Sequence, residues 1–172
     1  MNKFQDLLQG GDLRSIGNAN EIVAMVNTQN KFDELFAGLY HPDRKVVMRT
    51  ADAIEKITLD KPSFLQKHKK ELLNLCHTAQ NIELKWHLAL LVSRLRLTKK
   101  ELSGVWAMLT EWATDNNESK IVRVNAIQGL FNLLQQGPEF SQAFSSTLSD
   151  IEKENVPSLN ARIKKLRKAS RQ

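Results

Sequence analysis

A period of 38 residues constrains this chain more than any other feature of its sequence. Val46, Leu84 and Val122 are separated by that interval, and five further sets of apolar or small residues keep it. Those sets are Thr50, Leu88 and Ala126; Ala51, Ala89 and Ile127; Ala53, Leu91 and Gly129; Ile54, Val92 and Leu130; and Ile57, Leu95 and Leu133. Each copy has its apolar residues at i, i+4, i+5, i+7, i+8 and i+11, the buried stripe of an α-helix. A self-similar period of this length predicts stacked helical repeats.

Helix signals between the repeats divide the chain into nine or ten helices. The predicted helices cover residues 2–9, 19–28, 31–40, 43–59, 63–79, 82–96, 99–114, 118–136, 138–154 and 157–169. All four prolines fall between periodic segments, where the first turn of a helix tolerates them: Pro42, Pro62, Pro138 and Pro157. Thr98 and Glu101 have the spacing of a capping box. No segment has the pattern of a strand, and the short connections make successive helices antiparallel neighbours.

We therefore predict an all-α fold, an α-solenoid of stacked antiparallel helix pairs. From residue 31 onward, the first helix of each pair is named A and the second B. Residues 1–172 are interpreted as one α-solenoid domain, with regular repeats over 31–136. Residues 1–30 form an atypical N-terminal cap and residues 137–172 an atypical basic C-terminal cap, because a terminal repeat must present one polar face to water.

Gly129 occupies a buried column near the middle of a predicted B helix. Glycine in a helix interior costs about 1 kcal/mol relative to alanine. We therefore expect a neighbouring helix to approach closely at this position.

The B segments carry a family resemblance. Residues 122–130, Val-Arg-Val-Asn-Ala-Ile-Gln-Gly-Leu, resemble the second helix of a HEAT repeat, in which a Val-Arg pair precedes spaced Ala and Leu positions. Residues 46–57 look like the same element with Val47 at the arginine position, and residues 84–95 have Lys85 there. Tetratricopeptide repeats fit less well, because their period is shorter and their Trp/Gly/Tyr signature is absent.

The resemblance covers residues 31–169 and implies a non-catalytic protein–protein interaction module or scaffold. Such a module binds a protein partner on the surface of its stacked repeats. The alternative is a nucleic-acid-binding protein similar to the DNA alkylation repair glycosylases, which also use HEAT-like helix pairs. For that alternative, Asp52 near Trp86 is the one candidate acid. A lyase or chaperone acting on a bound cofactor is a third class, but the sequence offers no ligand set for it.

The predicted partner-binding face comes from B-helix positions that project away from the buried stripe. In a HEAT-like solenoid these helices line the concave surface. The candidates are Arg49, Asp52, Lys56, Trp86, His87, Arg94, Asn125 and Gln128. We expect Arg49, Trp86, His87 and Arg94 to share one exposed face, because their register positions fall outside the buried columns of the B helices. Trp and Arg are also frequent interface hot spots. The alternative is a solvated polar face with Trp86 packed in the core.

The net charge of +6 belongs to one end of the chain. Six basic residues follow Glu154, with no acid after them: Arg162, Lys164, Lys165, Arg167, Lys168 and Arg171. Without these six, 19 basic residues balance 19 acidic ones. This distribution argues against a uniformly basic nucleic-acid surface. It leaves either a basic end that contacts phosphate or an acidic partner, or a solubilising cap.

Catalytic and metal-binding patterns are weak. Cys76 and His77 are adjacent, so on a helix they point about 100° apart and make a poor nucleophile–base pair. The four histidines have no metal-ligand spacing, and there is no glycine-rich phosphate loop. We predict no catalytic residue, no cofactor and no metal. One cysteine, no apolar signal core and no membrane-length apolar run predict a cytoplasmic protein without a membrane segment.

Overall fold

The computed structural model describes residues 3–9 and 19–170 of the chain, and this part is helical throughout. It contains ten α-helices and no strand. They are α1 (Lys3–Leu8), α2 (Ala19–Met25), α3 (Gln29–Phe36), α4 (Arg44–Asp60), α5 (Lys69–Thr78), α6 (Ile82–Val92), α7 (Lys99–Thr114), α8 (Lys120–Leu133), α9 (Ser141–Lys153) and α10 (Pro157–Ala169). Short 3₁₀ segments at Ala37–Tyr40, Pro62–His68 and Pro138–Phe140 extend or precede the A helices. None of the described helices is both long and apolar enough to span a bilayer. The predicted all-α class is confirmed.

The helices form two layers. The B layer consists of α2, α4, α6, α8 and α10, each of which packs against the next in that order. The A helices α3, α5, α7 and α9 each pack against the B helix that follows in the chain. Every residue of the six predicted apolar columns is buried. The 38-residue period therefore describes the core between the two layers.

Local signals set where the helices begin. The capping box is present at the start of α7: the Thr98 hydroxyl accepts a bond from the Glu101 N–H at 3.3 Å, and Glu101 Oε2 accepts one from the Thr98 N–H at 2.8 Å. Three prolines begin α10 or a 3₁₀ segment. Pro42 instead lies before the N-cap of α4, because Asp43 takes that position and accepts a bond from the Lys45 N–H at 2.8 Å.

The predicted close approach at Gly129 is confirmed. A Cβ atom added there would lie 2.5 Å from the carbonyl oxygen of Ala89 and 3.0 Å from Cδ1 of Leu109. Ala89 belongs to α6 and Leu109 to α7, so the middle of α8 fits against both helices only without a side chain. This contact fixes the spacing between the second and third B helices of the regular repeat.

Charged side chains near the start of the B helices connect adjacent repeats. Arg123 in α8 is only 3% exposed; its Nε donates to the Ala113 carbonyl at 2.9 Å, and its Nη2 forms an ion pair with Glu154 at 2.7 Å. Lys85, one period earlier in α6, forms an ion pair with Glu118. In both repeats the cation joins a B helix to the acid of the next A-to-B connection. At the same position in α4, Val47 is buried among apolar residues.

Candidate functional site

Arg49 does not lie on an exposed face, so that part of the predicted surface is wrong. Its side chain is 1% exposed, and Nη1 donates to the carbonyl oxygen of Leu8 at 2.6 Å. Leu8 is the last residue of α1, where backbone carbonyls lack partners within the helix. The arginine therefore holds the C-terminal end of α1 against α4. It faces a neighbouring helix because the N-terminal helices cover this side of α4.

His87 is also buried, and the prediction of its exposure is wrong for a similar reason. Its Nδ1 contacts the Glu55 carboxylate of α4. Arg94 is half-buried, and its Nη1 donates to the Glu55 carbonyl at 2.6 Å and to the Thr58 hydroxyl at 2.7 Å. Burial lowers the pKa of Arg94, against the attraction of Glu55. His87 thus connects α6 to α4, and Arg94 connects the turn after α6 to α4.

Four other predicted binding residues are partly accessible and differ in the side-chain contacts that they make: Asp52, Lys56, Asn125 and Gln128. Lys56 forms an ion pair with Asp52 at 2.8 Å within α4. Gln128 in α8 accepts a hydrogen bond from Arg162 of α10 at 2.6 Å. Asn125, one turn before Gln128, is half-buried. The polar candidates therefore line the outer side of the B layer, and several of them connect its helices.

An accessible group of apolar side chains in the B layer lies on α6 and α8. We call it the apolar outer surface and define it as Ile82, Trp86, Leu90, Ile121 and Val124. Ile82 and Ile121 are 43% and 44% exposed, and the other three are half-buried. Trp86 and Val124 occupy the same column of the 38-residue period. Of the five, only Trp86 was among the sequence candidates.

The sequence signal for this surface is the composition of α6. Its core side carries Leu84, Leu88 and Leu91, yet its outer side carries Ile82, Trp86 and Leu90 at intervals of four residues. A helix that is apolar all round is normally buried on every side. Selecting candidates for polarity therefore missed most of the group, whereas the second apolar row of this helix, at residues 82, 86 and 90, would have identified it.

Polar contacts border the apolar outer surface. Near the start of α6, Glu83 forms an ion pair with Arg44 of α4 at 2.7 Å. Toward α10, the Gln128–Arg162 hydrogen bond closes the other side. An apolar centre with a polar rim is the usual anatomy of a protein interface.

The basic end forms a separate region on α10. Lys164, Lys165 and Lys168 are exposed. Arg167 instead forms an ion pair with Glu152 of α9 at 2.7 Å, and Arg162 bonds to Gln128. A groove of about 910 Å³ lies along α10 and includes these three lysines. The predicted basic residue Arg171 lies outside the described part of the chain.

Candidate chemical groups give little support to catalysis. Burial raises the pKa of the Cys76 thiol to about 12, so it is not a thiolate near neutral pH, and the adjacent His77 is exposed. Within residues 3–9 and 19–170, no cluster of three or more His, Cys, Asp or Glu side chains could hold a metal ion. The absence of a cofactor and a metal stays a prediction.

A titratable cluster lies between α3 and α5. The His68 ring stacks on Phe36 at 3.9 Å between centroids, and its two nitrogens contact Asp33 and Glu71 at 2.7 Å each. Asp33 also accepts hydrogen bonds from Lys67 and Gln29. Burial alone would raise the pKa of Asp33, but the hydrogen bonds of Lys67, Gln29 and His68 outweigh it and lower this pKa to about 2. The cluster ties two A segments together.

We expect Asp33→Asn to lower the free energy of unfolding at pH 7 by about 1 kcal/mol, because the pKa of Asp33 is lowered from 3.8 to about 2 but solvent screens this partly exposed cluster. Because the folded-state pKa is the lower one, this stabilisation is present above about pH 4 and is lost as pH falls toward 2. Urea unfolding of parent and variant between pH 7 and pH 2 measures it. A difference between the two proteins that stays constant over this range would show that Asp33 acts through packing alone.

Comparisons with known proteins agree with this architecture. A family model described as HEAT repeat domain matches residues 8–170. The search of curated proteins found no significant match. The search of solved structures found none either.

Proposed function

This chain belongs to the HEAT repeat family, and from that premise we propose that it is a protein-interaction module whose partner docks on the apolar outer surface. The observation that carries the proposal is the outward position of Ile82, Trp86 and Leu90 on a helix whose opposite side is core. Stacked helical repeats present extended surfaces of this kind to partners.

The chemistry of the surface supports a protein partner. Burying an exposed isoleucine or leucine side chain contributes about 1.5–3 kcal/mol when it is complete. Ile82 and Ile121 retain enough exposure to gain part of that on docking. Trp86 adds a large amphipathic ring of the kind that dominates interface hot spots. A few such anchors inside a polar rim are sufficient for a specific complex.

A nucleic-acid partner is less well supported on this face. Phosphate binding depends on clusters of Lys and Arg, but the centre of the surface is apolar and its Glu83 is acidic. Asp52, the candidate acid of the glycosylase alternative, forms an ion pair with Lys56. No observation on α4 or α6 favours repair chemistry.

The proposed role is non-catalytic and cytoplasmic. HEAT-repeat proteins are generally non-catalytic. The buried thiol of Cys76, with its raised pKa, supports a packing role for the one cysteine. A free thiol is typical of a reducing compartment.

We expect the double variant Leu90→Gln/Ile121→Gln to lose its partner while keeping its fold. A photo-crosslinking residue at position 125, beside the apolar outer surface, would capture the partner in cells of the source organism. The double variant should reduce the capture at least about tenfold, since two lost apolar anchors are worth about 1.4 kcal/mol or more together. Gel analysis and mass spectrometry measure the capture.

The matched control is Tyr40→Gln/Leu59→Gln, which makes the same apolar-to-amide change at residues 54% and 67% exposed outside this surface. The control should capture the partner as the parent does. Equal loss in both variants, or crosslinked material that disappears on nuclease treatment, would rule out this protein-docking face.

A further inference from the structure

We propose that the exposed face of α10 is a second docking site, which binds an acidic segment of a partner protein. The site is a basic strip that we define as Ala161, Lys164, Lys165 and Lys168. The proposal rests on protein binding as the function of the chain, but it uses a surface separate from the apolar outer surface.

Helix geometry places the four residues of the basic strip on one face. They stand at i, i+3, i+4 and i+7, and all four are exposed. The opposite side of α10 carries Leu159, Ile163 and Leu166, which are buried against the rest of the fold. At 1.5 Å per residue, the strip extends roughly 10 Å along the helix. It is the solvent side of the last B helix.

The charges of the strip are uncompensated. Lys164, Lys165 and Lys168 form no ion pair with any residue in the described ranges. Two nearby cations are instead paired with acids: Lys153 with Asp150, and Arg167 with Glu152. Because the chain before residue 162 has equal numbers of basic and acidic residues, the excess charge of the protein is concentrated on and beside this face. Such a concentration attracts and orients an acidic partner.

The groove beside the strip offers a partner apolar contacts in addition to charge. Its volume is about 910 Å³, and it extends from the lysines to Glu152 of α9. Its lining includes the small side chain of Ala161, and the methylene stems of the lysines can contact a peptide while their ammonium groups stay in water. A peptide lying in the groove can therefore bury aliphatic side chains and pair its carboxylates with the lysines.

The dimensions favour a peptide over a nucleic acid. Duplex DNA carries one charge per about 1.7 Å, so a 10 Å length presents roughly six phosphates. The strip offers three lysines, and Glu152 of α9 lines the groove beside them. Roughly six phosphates exceed the three lysines of the strip, whereas a peptide with three acidic residues matches them one to one.

The test uses the full chain and a fluorescein-labelled 16-residue peptide of four Glu-Leu-Ala-Glu units. A second peptide replaces each Glu with Gln. Fluorescence anisotropy measures Kd at low and at physiological salt. The parent protein should bind the Glu peptide more tightly than the Gln peptide, and the binding should weaken as salt rises, because exposed charges are screened.

Two triple variants separate the site from net charge. Lys164→Glu/Lys165→Glu/Lys168→Glu removes the strip, whereas Lys70→Glu/Lys99→Glu/Lys100→Glu makes the same change at exposed lysines elsewhere. The first should weaken binding at least about tenfold, and the second by no more than about twofold. The triple Lys→Gln variant of the strip, checked by circular dichroism, replaces the Glu variant if the latter does not fold.

Three results would overturn the proposal: equal weakening in both triple variants, no preference for the Glu peptide, or tighter binding of a DNA duplex or of phosphatidylserine vesicles that depends on the strip. The Leu90→Gln/Ile121→Gln variant should bind the Glu peptide as the parent does. If docking on the apolar outer surface is wrong, Leu90→Gln/Ile121→Gln leaves crosslinking at the parent level while the strip still binds the Glu peptide. If the basic strip is wrong, that variant loses crosslinking while the two triple variants bind the Glu peptide equally.

Discussion

Replacing Gly129 with leucine is expected to lower the free energy of unfolding by about 3 kcal/mol, the upper part of the range for overpacked cores. Even the Cβ atom of alanine would lie 2.5 Å from the Ala89 carbonyl oxygen. That oxygen belongs to the backbone of α6, so it cannot rotate away as a side chain does. The gain in helix propensity, about 1 kcal/mol, is too small to offset the displacement of a helix. Urea unfolding followed by circular dichroism measures the change.

Gly104→Ala is the matched control, because Gly104 also lies inside a helix. A Cβ atom there would meet nothing within 4 Å, and the residue is exposed. We expect this variant to gain about 0.5–1 kcal/mol. If Gly129→Ala gained stability to the same extent, α6 and α8 would not be in backbone contact in solution.

Replacing Arg49 with glutamate is expected to cost about 3–5 kcal/mol, as for a buried charge left without its partner. The site is 1% exposed, and the carboxylate would face the Leu8 carbonyl, so two acceptors would meet where a donor now bonds. Arg49→Met should cost less, about 1–3 kcal/mol, because it leaves the Leu8 carbonyl without this donor but places no charge in the buried site. Thermal and urea unfolding would compare the two variants.

Lys100→Glu provides the charge control, since Lys100 is exposed near the start of α7. Its effect should stay within about 0.5 kcal/mol. Equal stabilities of Arg49→Glu and Lys100→Glu would mean that α1 does not cover Arg49 and that its side chain is exposed.

The sequence determined the secondary structure and the core. The buried side of a helix recurs every 3.6 residues. The apolar columns, such as the one formed by Val46, Leu84 and Val122, could therefore be predicted from the sequence alone. The close approach of a neighbouring helix at Gly129 could also be predicted, because a glycine in a helix interior needs a compensating contact. The basic character of the last helix is likewise a property of composition, as no acid follows Glu154.

Only the tertiary structure decided which polar side chains are accessible. Arg49 and His87 occupy one register position at the boundary between the core side and the outer side of their helices. Whether such a position meets solvent depends on the adjacent helix: the end of α1 covers Arg49, and Glu55 of α4 meets His87. Trp86 is half-buried: part of its side chain packs against the core and part remains accessible. Helical periodicity gives the direction of a side chain from its own helix axis, but packing between distant segments decides what that side chain meets.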